Sequence, residues 1–211
     1  MDSALTLAIA IELGYTPAVL HLNYRQKTEE KELQCFLQLA EQYKIQERLI
    51  VDIEYLRQIG KSSLTDDNIP VTNADLNSKE IPSSYVPFRN GNILSIASSW
   101  AEVINANAIF IGAMQLDSSG YPDCRREFFD SFEKSINLGT KPETKISIIT
   151  PLIDFTKSDV VQKGLELKVP FEKTWSCYKE SEIACGVCDS CALRLRGFQL
   201  AGANDPIKYK I

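Results

Sequence analysis

The chain has 211 residues, 44% of them hydrophobic and 24% charged, with a formal net charge of −5. That balance supplies a sizeable core, and it lacks the cationic surface on which non-specific nucleic-acid or anionic-membrane binding relies. The single histidine, His21, argues against a mechanism built on histidine general bases.

Asp2 and Ser3 are good helix N-caps. The run Ala4, Leu5, Leu7, Ala8, Ile9, Ala10, Ile11 and Leu13 behind them predicts a helix over 2–13. It is apolar on nearly every side, so it needs cover all round. It has no basic leader, and Asp2 and Glu12 bracket it, so it does not read as a signal peptide. No stretch is long and apolar enough to span a bilayer, and the expected location is cytoplasmic.

The short apolar runs "AVLHLNY" (18–24), "RLIVDI" (48–53), "AIFIGA" (108–113) and "ISIITPL" (146–152) predict buried strands. Helices are predicted between them. Residues 28–43 carry Leu33, Leu37, Ala40 and Tyr43 on one stripe, and 90–105 holds no charge until Glu102 and should be deeply buried. Residues 123–139 begin with Asp123 as N-cap, stack Phe128, Phe132 and Ile136 at four-residue steps and stop at Gly139. In 156–167, Thr156 and Asp159 have capping-box spacing. Residues 60–88 lack periodicity, hold three prolines and read as a long functional loop or lid. Strands alternating with helices imply an α/β fold whose parallel sheet is covered on both faces. Ligands bind such sheets at the carboxyl ends of strands, near helix N-termini.

Cys177, Cys185, Cys188 and Cys191 fall within "CYKESEIACGVCDSC". Four thiolates at that spacing suit the closed tetrahedral site that Zn²⁺ favours. An iron–sulfur cluster, disulfides and free thiols are the competing readings. Cys35 reads as a small core filler and Cys124 as an unclustered thiol with no base near it in sequence. Just after a predicted strand, "DSSGYPDCRREF" (117–128) gathers Asp117, Asp123 and Arg125 around Gly120 and Pro122. It is either a polar turn with an N-cap or a rigid loop presenting carboxylates and a guanidinium to a ligand. Arg89 and Asn90 head the buried helix 90–105. An arginine there opposes the helix dipole, which a nearby anion would explain and a solvated side chain would not require. Lys157, at the start of helix 156–167, invites the same reading.

The segments "SSLTDDNIPV", "IPSSYVPFRN", "FIGAMQLDSSGYPDCRREF", "TPLIDFTKSDV" and "TWSCYKESEIACGVCDSCALR" occur in order across most of the chain. Together they resemble the 7-cyano-7-deazaguanine synthase family of queuosine biosynthesis, within the ATP-pyrophosphatase (PP-loop) superfamily. The resemblance implies an adenine-nucleotide alpha-hydrolase-like, Rossmann-like fold. It implies a PP-loop domain over 1–170 and a four-cysteine zinc-binding segment over 171–211 packed on it. The superfamily's phosphate loop reads S-G-G-x-D-S, of which Met1, Asp2 and Ser3 match only the last part. A short apolar strand and Ser-Gly-Gly are therefore expected upstream, about one strand plus a turn away.

The implied reaction is that of a carbon–nitrogen ligase. It converts 7-carboxy-7-deazaguanine and ammonia to the nitrile at the expense of ATP with Mg²⁺, without direct nucleic-acid or membrane partners, in a homodimer. By the same resemblance Asp2, Ser3 and Lys157 serve the phosphates and the metal, and Tyr24 and Gln26 lie beside the nucleotide. Arg89, Asn90, Asp117, Ser119, Asp123 and Arg125 line the deazaguanine pocket, and Cys177, Cys185, Cys188 and Cys191 hold Zn²⁺. Three positions depart from the family pattern: Arg25 stands for a glycine, Ser118 for an aromatic and Phe88 for a small residue. Another carboxylate, a tRNA substrate or an inactive zinc-stabilised relative are the alternative readings.

Overall fold

The computed structural model describes residues 1–76, 78, 80–116 and 120–211. In chain order it runs α1 (Asp2–Glu12), β1 (Val19–Asn23), α2 (Glu29–Gln42), β2 (Arg48–Asp52), α3 (Tyr55–Ile59) and α4 (Arg89–Val103). Next come β3 (Ala108–Phe110), a 3-10 turn at Pro122–Cys124, α5 (Arg126–Gly139) and β4 (Ser147–Ile149). α6 (Lys157–Glu166), a second 3-10 turn at Phe171–Lys173 and α7 (Asp189–Leu200) complete it. No helix among the described residues is long and apolar enough to cross a membrane.

All four predicted strands form, and all pair in parallel. β1 pairs with β2 (Val19 with Arg48) and β3 with β4 (Ala108 with Ser147). Helices α2, α1, α4 and α5 pack against these strands, which gives the covered parallel sheet expected of an α/β fold. The sheet is divided: no strand pairing joins β1 to β3 among the described residues. Both strands instead line one large cavity between the two pairs.

The main core gathers Leu5, Ala8 and Ile9 of α1 with Val160 and Val161 of α6 and Phe198 of α7. α1 is not covered all round. Its last turn leaves Ile11 38% and Leu13 60% exposed, because only the first two turns lie between β3 and α6. The stripe expected on α2 is also rotated. Cys35 and Ala40 are buried there, with Leu39 against the core, while Leu37 faces outward.

Residues 60–88 hold no helix or strand among those described, yet Ser62, Ser63, Leu64 and Thr65 are buried. The segment docks on the cysteine region through the Ala74 N–H, which donates to Val187 O at 2.8 Å.

The capping box at α6 is complete. Asp159 N–H donates to Thr156 Oγ1 (3.2 Å), and Thr156 N–H donates to Asp159 Oδ2 (2.8 Å). Those bonds satisfy donors that the first helical turn would otherwise leave open. Thr156→Ala should therefore lower stability by about 1 kcal/mol, read as a shift of the urea midpoint at unchanged slope.

Candidate active site

The cavity between the strand pairs measures about 1490 Å³. Asp2 and Ser3 reach it from the N-terminus of α1, Tyr24 and Glu32 from beyond β1, and Arg89 and Asn90 from the start of α4. The cavity runs the length of β1 and β3, and this end of it lies beyond their carboxyl ends, where parallel α/β sheets place their ligands.

The helix N-terminus is assembled from three sides. Met1, not Asp2 or Ser3, is the N-cap of α1, and no side chain caps it, so the first-turn N–H groups of Asp2 and Ser3 stay available. Lys157 Nζ donates to Asp2 Oδ2 at 2.7 Å, although Lys157 and Asp2 lie on different helices at opposite ends of the chain. Burial works to raise the Asp2 carboxyl, but Lys157 and the terminal amine outweigh it and hold the group below its ordinary value. The other oxygen, Asp2 Oδ1, is buried without a hydrogen-bond partner, as is Thr6 Oγ1 one turn further on. A buried oxygen left open beside an ammonium fits a hard cation such as Mg²⁺, which is bound through one or two carboxylates and phosphate oxygens. Gly112, just beyond β3, permits this approach: a Cβ there would meet Thr6 Oγ1 at 2.9 Å and the Asp2 backbone carbon at 3.0 Å.

Arg89 is the first residue of α4. Its Nη1 donates to Tyr24 Oη at 3.0 Å, and the guanidinium lies 5.7 Å from the Tyr24 ring centre. Tyr121 and Tyr178 lie near enough to act on it electrostatically. No ion pair among the described residues includes Arg89; Asp123 and Glu32 act on this part-buried cation only at longer range, while it sits against the helix dipole. Burial drives the Tyr24 phenol up to about 12, which keeps it neutral and able to hydrogen-bond.

Gln26 and Tyr24 shape the loop after β1. Gln26 Oε1 accepts the Tyr24 N–H at 2.9 Å, and Gln26 Nε2 donates to Glu32 at 3.2 Å. Arg25, which replaces the family's glycine, takes a φ of 62°. That is the left-handed region disfavoured for a side-chain-bearing residue. Glu29 accepts its N–H at 2.7 Å and Glu54 its guanidinium at 3.2 Å, which together hold it there.

Asp123 does not cap α5. That helix starts at Arg126, with the exposed Arg125 as N-cap, because the 3-10 turn at Pro122–Cys124 interrupts the chain first. Asp123 instead accepts the Asn90 N–H at 2.8 Å, and Asn90 Nδ2 donates back to Asp123 O at 2.9 Å and to Cys124 Sγ at 3.2 Å. This exchange anchors the start of α4, and with it Arg89. Burial raises the Asp123 carboxyl, and burial likewise lifts the Cys124 thiol to about 11, so that thiol is unreactive. Asp117, Ser118 and Ser119 lie outside the described residues. His21 packs against Phe36 and hydrogen-bonds Asn23 at 3.0 Å, in keeping with a packing role.

All six cysteines are free, and four of them converge. The sulfurs of Cys177, Cys185, Cys188 and Cys191 lie within 4.8 Å of one another, all buried. A tetrahedral zinc with bonds of about 2.3 Å holds its sulfurs about 3.8 Å apart, and Cys185 and Cys191 stand at 3.9 Å. A four-iron cluster would spread them wider. Hydrogen bonds from Cys188 and Cys191 hold the Cys177 thiol far below its usual range. Its sulfur also accepts backbone N–H groups of Cys185 and Glu180 at 3.3 Å. Amide donors of this kind stabilise the thiolate that a metal needs.

Several essential residues gave no sequence signal. Arg194 is 1% exposed and makes a bidentate pair with Asp205 (2.7 and 2.9 Å). It also donates to Thr174 Oγ1 and to Phe171 O, and Tyr209 donates to Asp205 at 2.6 Å. A buried helical arginine is rare enough that composition does not suggest it. Glu32 sits among the acidic residues that open α2 and looks like an ordinary first-turn carboxylate. The close contacts at Gly112 and Gly197 depend on tertiary structure alone.

Phosphates seat against the amino end of a helix, and a parallel α/β sheet with such an end opening on its ligand cavity defines the class of nucleotide-binding α/β enzymes. Comparison with known proteins narrows this. The family model described as "Queuosine biosynthesis protein QueC" matches residues 1–202. The 7-cyano-7-deazaguanine synthase of Chloroherpeton thalassium is 60% identical over 211 residues, which is 100% of this chain and 93% of that protein. Those of Chlorobium phaeobacteroides strain DSM 266 and Chlorobaculum tepidum are 59% and 54% identical, with the same 100% and 93% coverage. The chain belongs to the QueC family.

Elemental analysis should find roughly one zinc per chain, from the single four-thiolate set. Cys188→Ser should lose most of it and unfold at least about 5 °C lower. Iron in place of zinc, or full metal retention by that variant, is the contrary result.

Proposed function

We propose that the end of the cavity between the start of α1 and Arg89 is where 7-carboxy-7-deazaguanine is converted to 7-cyano-7-deazaguanine with ammonia and ATP. The observation that carries this is the half-satisfied Asp2, paired with Lys157 at the open start of α1, in one cavity with the Arg89 guanidinium.

The chemistry proceeds in two activations. The substrate carboxylate attacks the α-phosphorus of ATP and pyrophosphate leaves. Ammonia then displaces AMP to give the amide. The amide oxygen attacks a second ATP, pyrophosphate leaves again, and loss of AMP and a proton forms the nitrile. Each activation builds negative charge on the departing pyrophosphate. The first-turn N–H groups of α1, the Ser3 hydroxyl and the Lys157 ammonium are set to receive that charge. When bound, Mg²⁺ neutralises phosphate oxygens, and Asp2 Oδ1 is the residue atom suited to hold it. Zn²⁺ bound by the four thiolates is structural in this reading, since all four positions are filled by protein.

Arg89 supplies the cation for the 7-carboxylate, with Asn90, Asp123 and Tyr24 fixing its position. Gln26 holds the loop beside the nucleotide. Arg125, Asp117 and Ser119 complete the deazaguanine pocket by resemblance. Residues 1–170 form the catalytic α/β unit in this reading and 171–211 the zinc clip. The enzyme acts in the cytoplasm as a homodimer.

The full-length protein should release AMP and pyrophosphate and form the nitrile, detected by mass spectrometry, when given ATP, ammonia and 7-carboxy-7-deazaguanine. AMP release only with a different carboxylate would replace the substrate, and no nucleotide turnover at all would leave a zinc-stabilised binding protein. Arg89→Ala should raise KM for the carboxylate at least about tenfold while that for ATP changes little, since a charge-assisted contact is lost from one substrate only.

A further inference from the structure

Helix α7 leads from the thiolate cluster back to the start of α1. Cys191, Arg194 and Gly197 recur along it every third residue and share one buried face. Cys191 belongs to the cluster, and Arg194 is locked to Asp205. Gly197 lies against the first residue of α6. A Cβ at Gly197 would stand 2.8 Å from Lys157 Cβ, 2.8 Å from Lys157 O and 3.0 Å from Lys157 C. Two of those atoms are backbone, so a side chain at Gly197 cannot be accommodated by turning a rotamer. It must displace the start of α6 itself. The capping box of Thr156 and Asp159 makes that start a stiff unit, so Lys157 must move with it. Lys157 Nζ reaches Asp2 Oδ2 at 2.7 Å, with its side chain 13% exposed.

We propose that Gly197 is a positioning residue, the bare contact through which the thiolate clip sets where Lys157 stands at the amino end of α1. The proposal rests on the reading of Lys157 as the cation that receives pyrophosphate charge. It adds that the metal segment, although remote from the reacting atoms, bears on their geometry where α7 packs on α6, with Gly197 as the tightest point against Lys157. Misplacement by about 1 Å costs reactions of this kind up to about a hundredfold.

Gly197→Ala is expected to lower kcat by about tenfold to a hundredfold, with zinc content unchanged and KM for ATP within about threefold, since a contact made chiefly in the transition state acts on kcat. In a Lys157→Ala background the same change should cost less than about twofold further, because the two act through one group. Equal losses in both backgrounds would overturn the proposal. A Lys157→Ala enzyme with unchanged kcat would instead sink the reading of Lys157, and the positional claim is then judged by labelling. Amine acylation followed by peptide mass spectrometry should show Lys157 reacting faster in Gly197→Ala than in the parent, with the exposed Lys44 unchanged. Unchanged Lys157 labelling in the folded variant overturns it. Should the variant not accumulate folded, chelation of zinc from the parent protein decides. Lys157 labelling must then rise more than that of Lys44, and a parallel or absent rise refutes the coupling.

Discussion

The structure depends on one buried ion pair. Arg194 is the largest fully buried side chain, and its guanidinium is met by the Asp205 carboxylate, the Thr174 hydroxyl and the Phe171 carbonyl. Those partners come from the second 3-10 turn, the approach to Cys177 and the tail beyond α7. Removing one member of such a pair costs about 3–5 kcal/mol, because the other is left buried and charged. The tail it anchors returns to the cysteine loop, where Ala184 and Tyr209 form a bridge and Ala184 N–H donates to Lys208 O at 3.0 Å. Metal clip, tail and α7 therefore behave as one piece, and that piece presses on α6.

The site inherits its electrostatics from this scaffold. α1 offers free amide donors because nothing caps it, and Lys157 is held against Asp2 because α6 is held against α7. On the opposite wall, Asp123 hydrogen-bonds Asn90 rather than Arg89, whose hydrogen bond goes to the Tyr24 phenol. Phenols hydrogen-bond a guanidinium without neutralising it, so the positive potential remains available to an anionic substrate. In the proposed reading these two cations, Lys157 behind Asp2 and Arg89 on the cavity wall, serve a phosphate chain and a carboxylate.

Much of this was legible in the sequence. Buried parallel strands are short apolar runs between helices, and all four were found to within a few residues. The capping box at Thr156 is a local pattern and could be read directly, as could the cysteine spacing. What failed was whatever depended on a distant partner. Asp123 looks like the N-cap of the helix after it, yet it bonds the helix before it. Leu37 fits a hydrophobic stripe, but α2 turns Cys35 inward beside Ala40 and leaves Leu37 exposed, since Cys35, Leu39 and Ala40 form its side of the cavity wall. Arg194 and Gly197 look ordinary because their meaning lies in Asp205 and Lys157.

The divided sheet bears on how the chain acquires its shape. β1 closes on β2 and β3 on β4 across intervening segments of similar length, Val19 to Arg48 and Ala108 to Ser147. The entropy of closing those two loops differs by only about 0.3 kcal/mol. Neither pair has a topological head start, and no backbone ladder among the described residues transmits order from one to the other. Two nuclei can thus arise separately on the nascent polypeptide, the earlier-synthesised one first, and their union rests on the helices that pack against the two pairs.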